Sequence, residues 1–177
     1  MGRNAKRLAS MTDNRCPILG CDYILVPAIT RLDSDVLIVG EYPEEEDIRY
    51  GTPFNGDAGV VLRHALSELG VDMHSLNLCN LWQHNKNKNQ ACYEYGIKML
   101  TREMSGRKVL LMGAEASKFF VGRSVTQTAG LVVTSPLFPA SVKFVMTSPS
   151  PLICVHAPPG EFLLSLKKFI RKVKETE

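Results

Sequence analysis

The segment between Gly40 and Gly59 contains residues typical of a ligand-binding loop rather than of a plain connection. Gly40-Glu41-Tyr42-Pro43 directly follows an apolar run, and Gly51-Thr52-Pro53-Phe54-Asn55-Gly56-Asp57-Ala58-Gly59 leads into a helical pattern. Glycines let a backbone approach a ligand closely, Pro53 stiffens the turn, and Phe54 has no periodic core partner. The alternative is a strand-to-helix connection with Phe54 folded into the core.

A second candidate for recognition stands at the end of the next apolar run. Asn80 follows Leu76-Asn77-Leu78-Cys79, and its amide offers both a hydrogen-bond donor and an acceptor. The carboxyl ends of parallel strands meet at one edge of a sheet. We therefore expect Asn80 to lie near the Gly40 loop, the alternative being a cap or turn residue.

The elements that must position these residues are read from the hydrophobic pattern. Short apolar runs predict buried strands over 36–39, 76–79, 109–112, 131–133 and 143–146,. Helical spacing predicts helices over 62–69, ending at Gly70, and over 91–103, 114–121 and 160–174,. This alternation predicts a three-layer α/β/α sandwich around a mostly parallel central sheet, with the ligand site at the carboxyl ends of the strands.

Two polar stretches are expected to lie outside the core. The acidic run Glu44-Glu45-Glu46-Asp47 is interpreted as a solvated face, and the stretch from His84 to Gln90 as an exposed loop,.

Length and composition limit the class of protein. The chain has 177 residues, 45% of them apolar, which favours a single domain, over 16–177. Residues 1–15 are polar and basic without a sustained period, so they are interpreted as a flexible basic arm. The formal net charge of +3 is compatible with a nucleic-acid partner but does not demonstrate one. No apolar run reaches the roughly 18 residues needed to span a bilayer, and no signal-peptide core follows the basic N-terminus. Five cysteines favour free thiols or metal ligands. We expect an intracellular monomer that does not associate with a membrane.

The order of these motifs resembles the uracil-DNA glycosylase superfamily, and its iron–sulfur members, family 4, in particular. The family motif Gly-x-Pro-Phe-x-Gly-x-Ala-Gly is intact from Gly51 to Gly59, and Gly40-Glu41-Tyr42-Pro43 matches its Gly-Glu-Gly/Ala-Pro. Asn80-Leu81-Trp82-Gln83-His84 matches Asn-Val-Val-Lys-Cys, and Ala91-Cys92 matches a helix start. Arg107 to Ala114 resembles the strand ending in Leu-Gly-Ala. The resemblance covers about residues 15 to 152.

The resemblance implies a DNA glycosylase of base excision repair, which hydrolyses the N-glycosidic bond of uracil, or of another damaged or modified base, flipped out of DNA. Phe54 would stack on the base, and Asn80 would donate to uracil O4 while accepting from N3–H, an order that cytosine reverses. Glu41 matches the acidic residue that orients water and stabilises an oxocarbenium ion, the alternative being a surface carboxylate. Gly40, Tyr42 and Ser148 would complete the pocket.

Two departures from the family pattern bear on activity. Where the family has His-Pro-Ser on its last strand, the chain has Ser148-Pro149-Ser150, so the His that donates to uracil O2 is replaced, and Tyr42 and Glu44 stand where the family has glycine. His156 is a weak candidate to replace that His. The alternative is a glycosylase-like DNA-binding or replication and repair accessory protein with little or no catalysis. A small-molecule-binding α/β domain is a third possibility.

The resemblance also implies a four-iron cluster. Cys16 matches the second Cys of the family's first pair, whose first member would fall at Asp13, so Cys21 is the candidate for the missing ligand. His84 stands at the third ligand position, where the X-type relatives that resemble this chain also have His. Cys92 matches the fourth ligand position. Imidazole ligates zinc as well as iron–sulfur centres. A 4Fe-4S cluster, zinc and no metal all remain open, with Cys79 and Cys154 expected in the core.

Overall fold

The computed structural model describes residues 14–156 and 160–176, without the side chains of residues 155 and 156. The predicted arm over 1–15 therefore lies outside the described residues, except for Asn14 and Arg15. So do the position of Asp13 and the side chain of His156. Arg15 forms an isolated antiparallel bridge with Ile24, so the described chain is already paired at this point.

Five strands form one sheet, in the spatial order β2-β1-β3-β5-β4. Their bounds are β1 Val36–Gly40, β2 Asn77–Asn80, β3 Lys108–Met112, β4 Val132–Val133 and β5 Phe144–Ser148. All pairs are parallel except β4 with β5, which is antiparallel. Each predicted strand is present, with shifts of one or two residues at its ends. The shift in β2 places Asn80 inside the strand.

Seven helices connect or flank the strands in the described residues. They are α1 Glu45–Tyr50, α2 Asp57–Glu68, α3 Gln90–Met104, α4 Ala114–Val121, α5 Val125–Thr128, α6 Ile153–His156 and α7 Gly160–Glu175, with a 3-10 turn at Met73–Ser75. Gly70 has φ +71° and stands just after Leu69, the residue that caps α2; it stops the helix as predicted, because a left-handed residue ends a helix at low cost when it is glycine. Within the described residues, no helix has both the length and the apolar character to cross a membrane.

The core lies on both faces of the sheet. Ile38, Leu110 and Met146 face the layer of α2 and α7, where they pack with Leu66 and Phe169. Their neighbours in sequence point to the opposite face, because side chains alternate along a strand. There they form a second cluster with α3 and α4; its strand members are Leu37, Val39, Val109, Leu111 and Val145. These two clusters confirm the three-layer α/β/α sandwich.

Two expectations for polar stretches are wrong for one residue each, Asp47 and His84. The acidic run leads into α1, where Glu45 is exposed as expected, whereas Asp47 is buried because its carboxylate accepts hydrogen bonds from backbone N–H groups. In the stretch from His84 to Gln90, Lys86 and Lys88 are exposed as expected, whereas His84 is buried and stacks on Tyr23.

Candidate active site and metal centre

A cavity opens where the direction of strand addition reverses. The chain passes from β1 to β2 on one side and then to β3 on the other side of β1, and ligands of open α/β sheets bind outside such a switch point. The carboxyl ends of these strands line the cavity together with residues of three loops: Gly40, Glu41, Tyr42, Glu44, Asp47, Phe54, Ala58, Asn80, Met112, Ser150, Pro151 and Leu152. The structure thus brings Gly40, Glu41, Tyr42, Phe54 and Asn80 together.

Asn80 presents an unused donor to this cavity. Its side chain is 3% exposed, and Nδ2 is the one buried side-chain nitrogen or oxygen without a hydrogen-bond partner among the described residues. Leaving such a donor unpaired costs about 1–3 kcal/mol. A ligand with an acceptor at this position would recover that free energy. The geometry therefore favours recognition over the alternative of a cap or turn.

Phe54 belongs both to the cavity and to the core. The ring is 4% exposed and packs with α2 residues, while it also lines the cavity beside Gly40. A Cβ on Gly40 would collide with Asn80 Oδ1 and lie 3.0 Å from Phe54 Cζ. Glycine at this position therefore allows the amide and the aromatic ring to approach the same backbone.

Two carboxylates of the acidic run hold the Phe54 loop. Phe54 has φ +63°, a left-handed conformation that no other non-glycine residue adopts in the described chain and that strains a residue with a Cβ. Asp47 Oδ1 accepts from the Asn55 N–H at 2.6 Å and from the Gly56 N–H at 3.3 Å. Glu44 accepts from the first two N–H groups of α2, both at 3.0 Å. These bonds offset the strain and stabilise α2.

If this cavity binds a base, as the resemblance implies, Asp47→Asn should weaken that binding more than a surface change does. An amide accepts with only one of its two heavy atoms, so the variant cannot keep both the Oδ1 bonds to the Asn55 and Gly56 N–H groups and the Oδ2 bond to the Glu44 N–H,. The binding constant for a uracil-containing oligonucleotide should fall about tenfold, which corresponds to one lost hydrogen bond to a charged group. Glu45→Gln, a change on the exposed face of α1, is the matched control. Equal binding by both variants would show that Asp47 does not position the ring.

Glu41 is held by the amino end of α4. Its Oε1 accepts from the Glu115 N–H at 2.6 Å, and a Cβ on Gly113 (φ +107°) would overlap the Glu41 carboxylate. Burial raises the pKa of Glu41 above its ordinary value, and the nearby Glu115 carboxylate adds to the rise, while the Glu115 N–H and Lys86 oppose it. Glu41 also lines the cavity, where a carboxylate can orient a water molecule.

A charged network connects Glu41 to the loop after β2. Glu115 accepts from Trp82 Nε1 at 3.2 Å and from Lys86 Nζ at 2.6 Å, and the bond to Glu115 raises the pKa of Lys86. The backbone reinforces this connection, since the Trp82 N–H donates to the Glu41 carbonyl at 2.8 Å. The loop after β2 and the carboxylate of Glu41 are therefore held as one unit.

Ser148, on the last strand, does not line the cavity, although the sequence predicts it there. Ser148 ends β5 and is fully buried, and its hydroxyl donates to the Pro149 carbonyl at 3.1 Å. The cavity wall here consists instead of Ser150, Pro151 and Leu152. Sequence reasoning missed these three residues and Met112, although their positions just beyond β5 and at the end of β3 are the same signal that identified Asn80.

Four potential metal ligands meet beside the loop that follows β2. The Sγ atoms of Cys16, Cys21 and Cys92 and a ring nitrogen of His84 all lie within 4.8 Å of one another. Cys16 and Cys92 are 3.9 Å apart at sulfur, and Cys21 Sγ is 3.5 Å from His84 Nε2. Burial raises the pKa of the Cys16 thiol to about 12, so a bound cation has to displace protons from these sulfurs.

The surroundings orient these groups as ligands. His84 Nδ1 lies 2.6 Å from the Asn85 carbonyl; because a carbonyl only accepts, the proton is on Nδ1 and the Nε2 lone pair faces the sulfurs. Asn87 Nδ2 lies 4.0 Å from Cys21 Sγ and 3.8 Å from Cys92 Sγ. The donor set therefore fits a group with three Cys ligands and one His ligand. Cys79 is buried away from this set, and Cys154 is half-buried.

Comparison with known proteins identifies the family. Residues 27–173 match the family model described as "Uracil DNA glycosylase superfamily", and the chain belongs to this superfamily. It is similar to the type-4 uracil-DNA glycosylase of Thermotoga maritima, with 30% identity over 106 residues, 55% of each chain. It is also similar to that of Pyrobaculum aerophilum, with 28% identity over 113 residues, 59% of this chain and 57% of the relative. These matches span little more than half of the length of the curated relatives.

Proposed function

We propose that this protein is a DNA glycosylase that hydrolyses the N-glycosidic bond of uracil, or of a closely related modified base, in DNA. The observation that carries the proposal is the unpartnered Asn80 Nδ2 donor, buried in a cavity beside the Phe54 ring. Uracil O4 is an acceptor that this donor fits, and uracil N3–H is a donor that Asn80 Oδ1 fits. Membership of the superfamily and the similarity to type-4 enzymes support the same function.

The base has to leave the helical stack to reach this cavity. Phe54 provides a face for the flipped ring, and stacking of this kind contributes about 1–3 kcal/mol per base. Cytosine presents its donor and acceptor in the reverse order, so it would leave the Asn80 amide mismatched in a buried site. That mismatch is how a polar pocket rejects an analogue.

Hydrolysis needs a water molecule on the sugar and a stabilised leaving base. Glu41 orients the water with its free carboxylate oxygen and opposes the positive charge that develops on the sugar. The donor that stabilises the departing base in the family belongs at the carboxyl end of β5, where Ser148 stands in place of the family's His with its hydroxyl bonded to Pro149. One preorganised donor of this type contributes about 2.7–4 kcal/mol to catalysis.

A metal or cluster beside the base cavity would stabilise the backbone that positions the site. Its ligands would be Cys16, Cys21, His84 and Cys92. We propose a four-iron cluster on the resemblance to family 4 and on the Cys-rich donor set, with a single zinc ion as the alternative. The short distances between the four ligand atoms favour the zinc ion, because ligand bonds of ~2.0–2.3 Å around one tetrahedral ion place ligand atoms roughly 3.3–3.8 Å apart. Either group would tie residues 16–21 to the loop that follows Asn80.

The second candidate function is a glycosylase-like DNA-binding protein with little catalysis. The replacement of the last-strand His by Ser148 favours it, since the Ser148 hydroxyl is bonded to Pro149 rather than directed into the cavity. In this case Asn80 and Phe54 would bind a flipped base without cleaving it.

Ser148→His distinguishes the two candidates. If the protein is a glycosylase weakened by the loss of one donor, single-turnover cleavage of a uracil-containing oligonucleotide should rise by up to about 10²–10³-fold. Ser148→Ala, which adds no donor and little volume change, should cleave at the wild-type rate. Because Ser148 is fully buried, thermal melting has to confirm that the His variant is folded. Undetectable cleavage by a folded His variant would favour the binding protein.

A further inference from the structure

A basic groove lies far from the base cavity, between the end of α2 and the exposed side of α7. It has a volume of about 400 Å³ and is lined by Leu69, Leu164, Lys167, Lys168, Ile170, Arg171 and Lys174. Leu69 directly follows α2, whereas Ala58, at the start of the same helix, lines the base cavity. Eleven residues at about 1.5 Å per residue separate them by roughly 16 Å. The base cavity and this groove therefore lie near opposite ends of α2.

The groove has an apolar floor and a cationic rim. Leu164, Lys167, Arg171 and Lys174 follow one another at spacings of three and four residues, so they form one row along α7. Leu164 is 52% exposed although it is large and apolar, and Leu69 and Ile170 continue the apolar surface beside it. A groove of this composition offers burial to an apolar side chain and charge pairing to the residues around it.

The charges on the row are largely available to a partner. Arg171 pairs weakly with Glu175, at 3.6 Å and in an exposed position, and exposed pairs of this kind contribute little to stability. In the part of the chain that the structure describes, neither Lys167 nor Lys174 takes part in an ion pair. Three of the 21 basic residues of the chain thus lie on this row, and a fourth, Lys168, also lines the groove.

We propose that this groove binds an acidic peptide segment of a partner protein, with one bulky apolar side chain of the segment seated between Leu69 and Leu164. The rim complements carboxylates, and the floor complements the apolar side chain; a phosphate backbone would use the rim and leave the floor empty. Recognition that combines a buried apolar anchor with charged pairs at its edge is the arrangement expected of a protein interface. Such a contact would hold the protein on a partner while the base cavity acts on DNA.

The test measures binding of a fluorescein-labelled peptide of Asp and Glu residues around one Leu-Phe pair to the whole protein by fluorescence anisotropy. Leu164→Ser should weaken binding about tenfold or more, because it removes most of one buried leucine contact. Lys167→Glu should weaken it several-fold, and more so at low salt. Lys98→Glu, the same charge reversal on the exposed face of α3, should leave the affinity unchanged.

Three control ligands test whether the groove binds an acidic peptide with an apolar anchor, some other peptide, or nucleic acid. A peptide with Asn and Gln in place of Asp and Glu, and an acidic peptide without the Leu-Phe pair, should both bind at least several-fold more weakly. A labelled single-stranded oligonucleotide without uracil should not compete for the groove. The proposal is overturned if the acidic peptide does not bind, if Lys98→Glu weakens it as much as Lys167→Glu, or if the oligonucleotide competes and loses affinity in the same variants.

Discussion

Asn80→Ala is expected to lower kcat/KM for a uracil-containing oligonucleotide by about 10²–10³-fold, the effect of removing one preorganised donor from an active site. The same substitution should change the melting temperature by no more than about 2 °C, corresponding to less than about 1 kcal/mol for a chain of this size. The reason is that Asn80 Nδ2 has no hydrogen-bond partner to lose. Asn80→Ala should therefore lower activity strongly while leaving stability nearly unchanged.

Asn77→Ala is the matched control, because Asn77 lies in the same strand and is equally buried. Its Nδ2 donates to the carbonyls of Ser34 and Val36, both at 2.9 Å, and its Oδ1 accepts from the Arg31 N–H at 2.6 Å. Removing it leaves buried groups unpaired, at about 1–3 kcal/mol each. We expect a clear fall in melting temperature with the selectivity for uracil retained. If Asn80→Ala instead behaved like Asn77→Ala, Asn80 would be structural.

Cys92→Ser is expected to remove the metal and to destabilise the protein. The free energy of binding a structural metal is folding free energy, and a site lacking one of four ligands holds the metal poorly. We expect a loss of at least about 3 kcal/mol, or roughly a 10 °C fall in melting temperature. Anaerobically purified wild-type protein should be brown, with broad absorption near ~400 nm, if the group is an iron–sulfur cluster.

Cys154→Ser is the control for this experiment, since Cys154 is a half-buried cysteine outside the ligand set. It should keep the metal content, the colour and most of the stability of the wild type. Elemental analysis decides the identity of the group: iron with sulfide indicates the cluster, and one zinc per chain indicates the tetrahedral ion. Wild-type protein with neither iron nor zinc would contradict the assignment of all four ligands.

The elements and the strand-end residues were predictable because both follow from local patterns. β-branched runs mark the buried strands, and a parallel sheet brings their carboxyl ends together, so Gly40 and Asn80 had to be neighbours. The bounds of β2 were predicted one residue too early, because the sequence does not show whether Asn80 follows the strand or ends it. Leu131 was expected in a strand, whereas β4 begins at Val132, because a short edge strand has too few residues to show a period.

The supporting contacts of the site were not predictable from composition. Asp47 stands among three glutamates, and nothing in that run shows that its carboxylate accepts N–H bonds from residues eight and nine positions later. His84 likewise opens a polar stretch, yet it is buried because Cys21 and Tyr23, distant in sequence, pack against it. Such contacts depend on how loops meet in space, and a single sequence does not encode them as a pattern.

The measurement that tests the account most directly is the release of free uracil from a single-stranded oligonucleotide containing one deoxyuridine. Purified wild-type protein in excess over the strand should release uracil, whereas matched strands with thymidine or deoxycytidine in that position should stay intact. Glu41→Gln, which keeps the shape but loses the charge, should slow the release strongly. Binding of the deoxyuridine strand no tighter than of the thymidine strand, with no uracil released, would contradict both catalysis and the role of Asn80 and Phe54 as a uracil pocket.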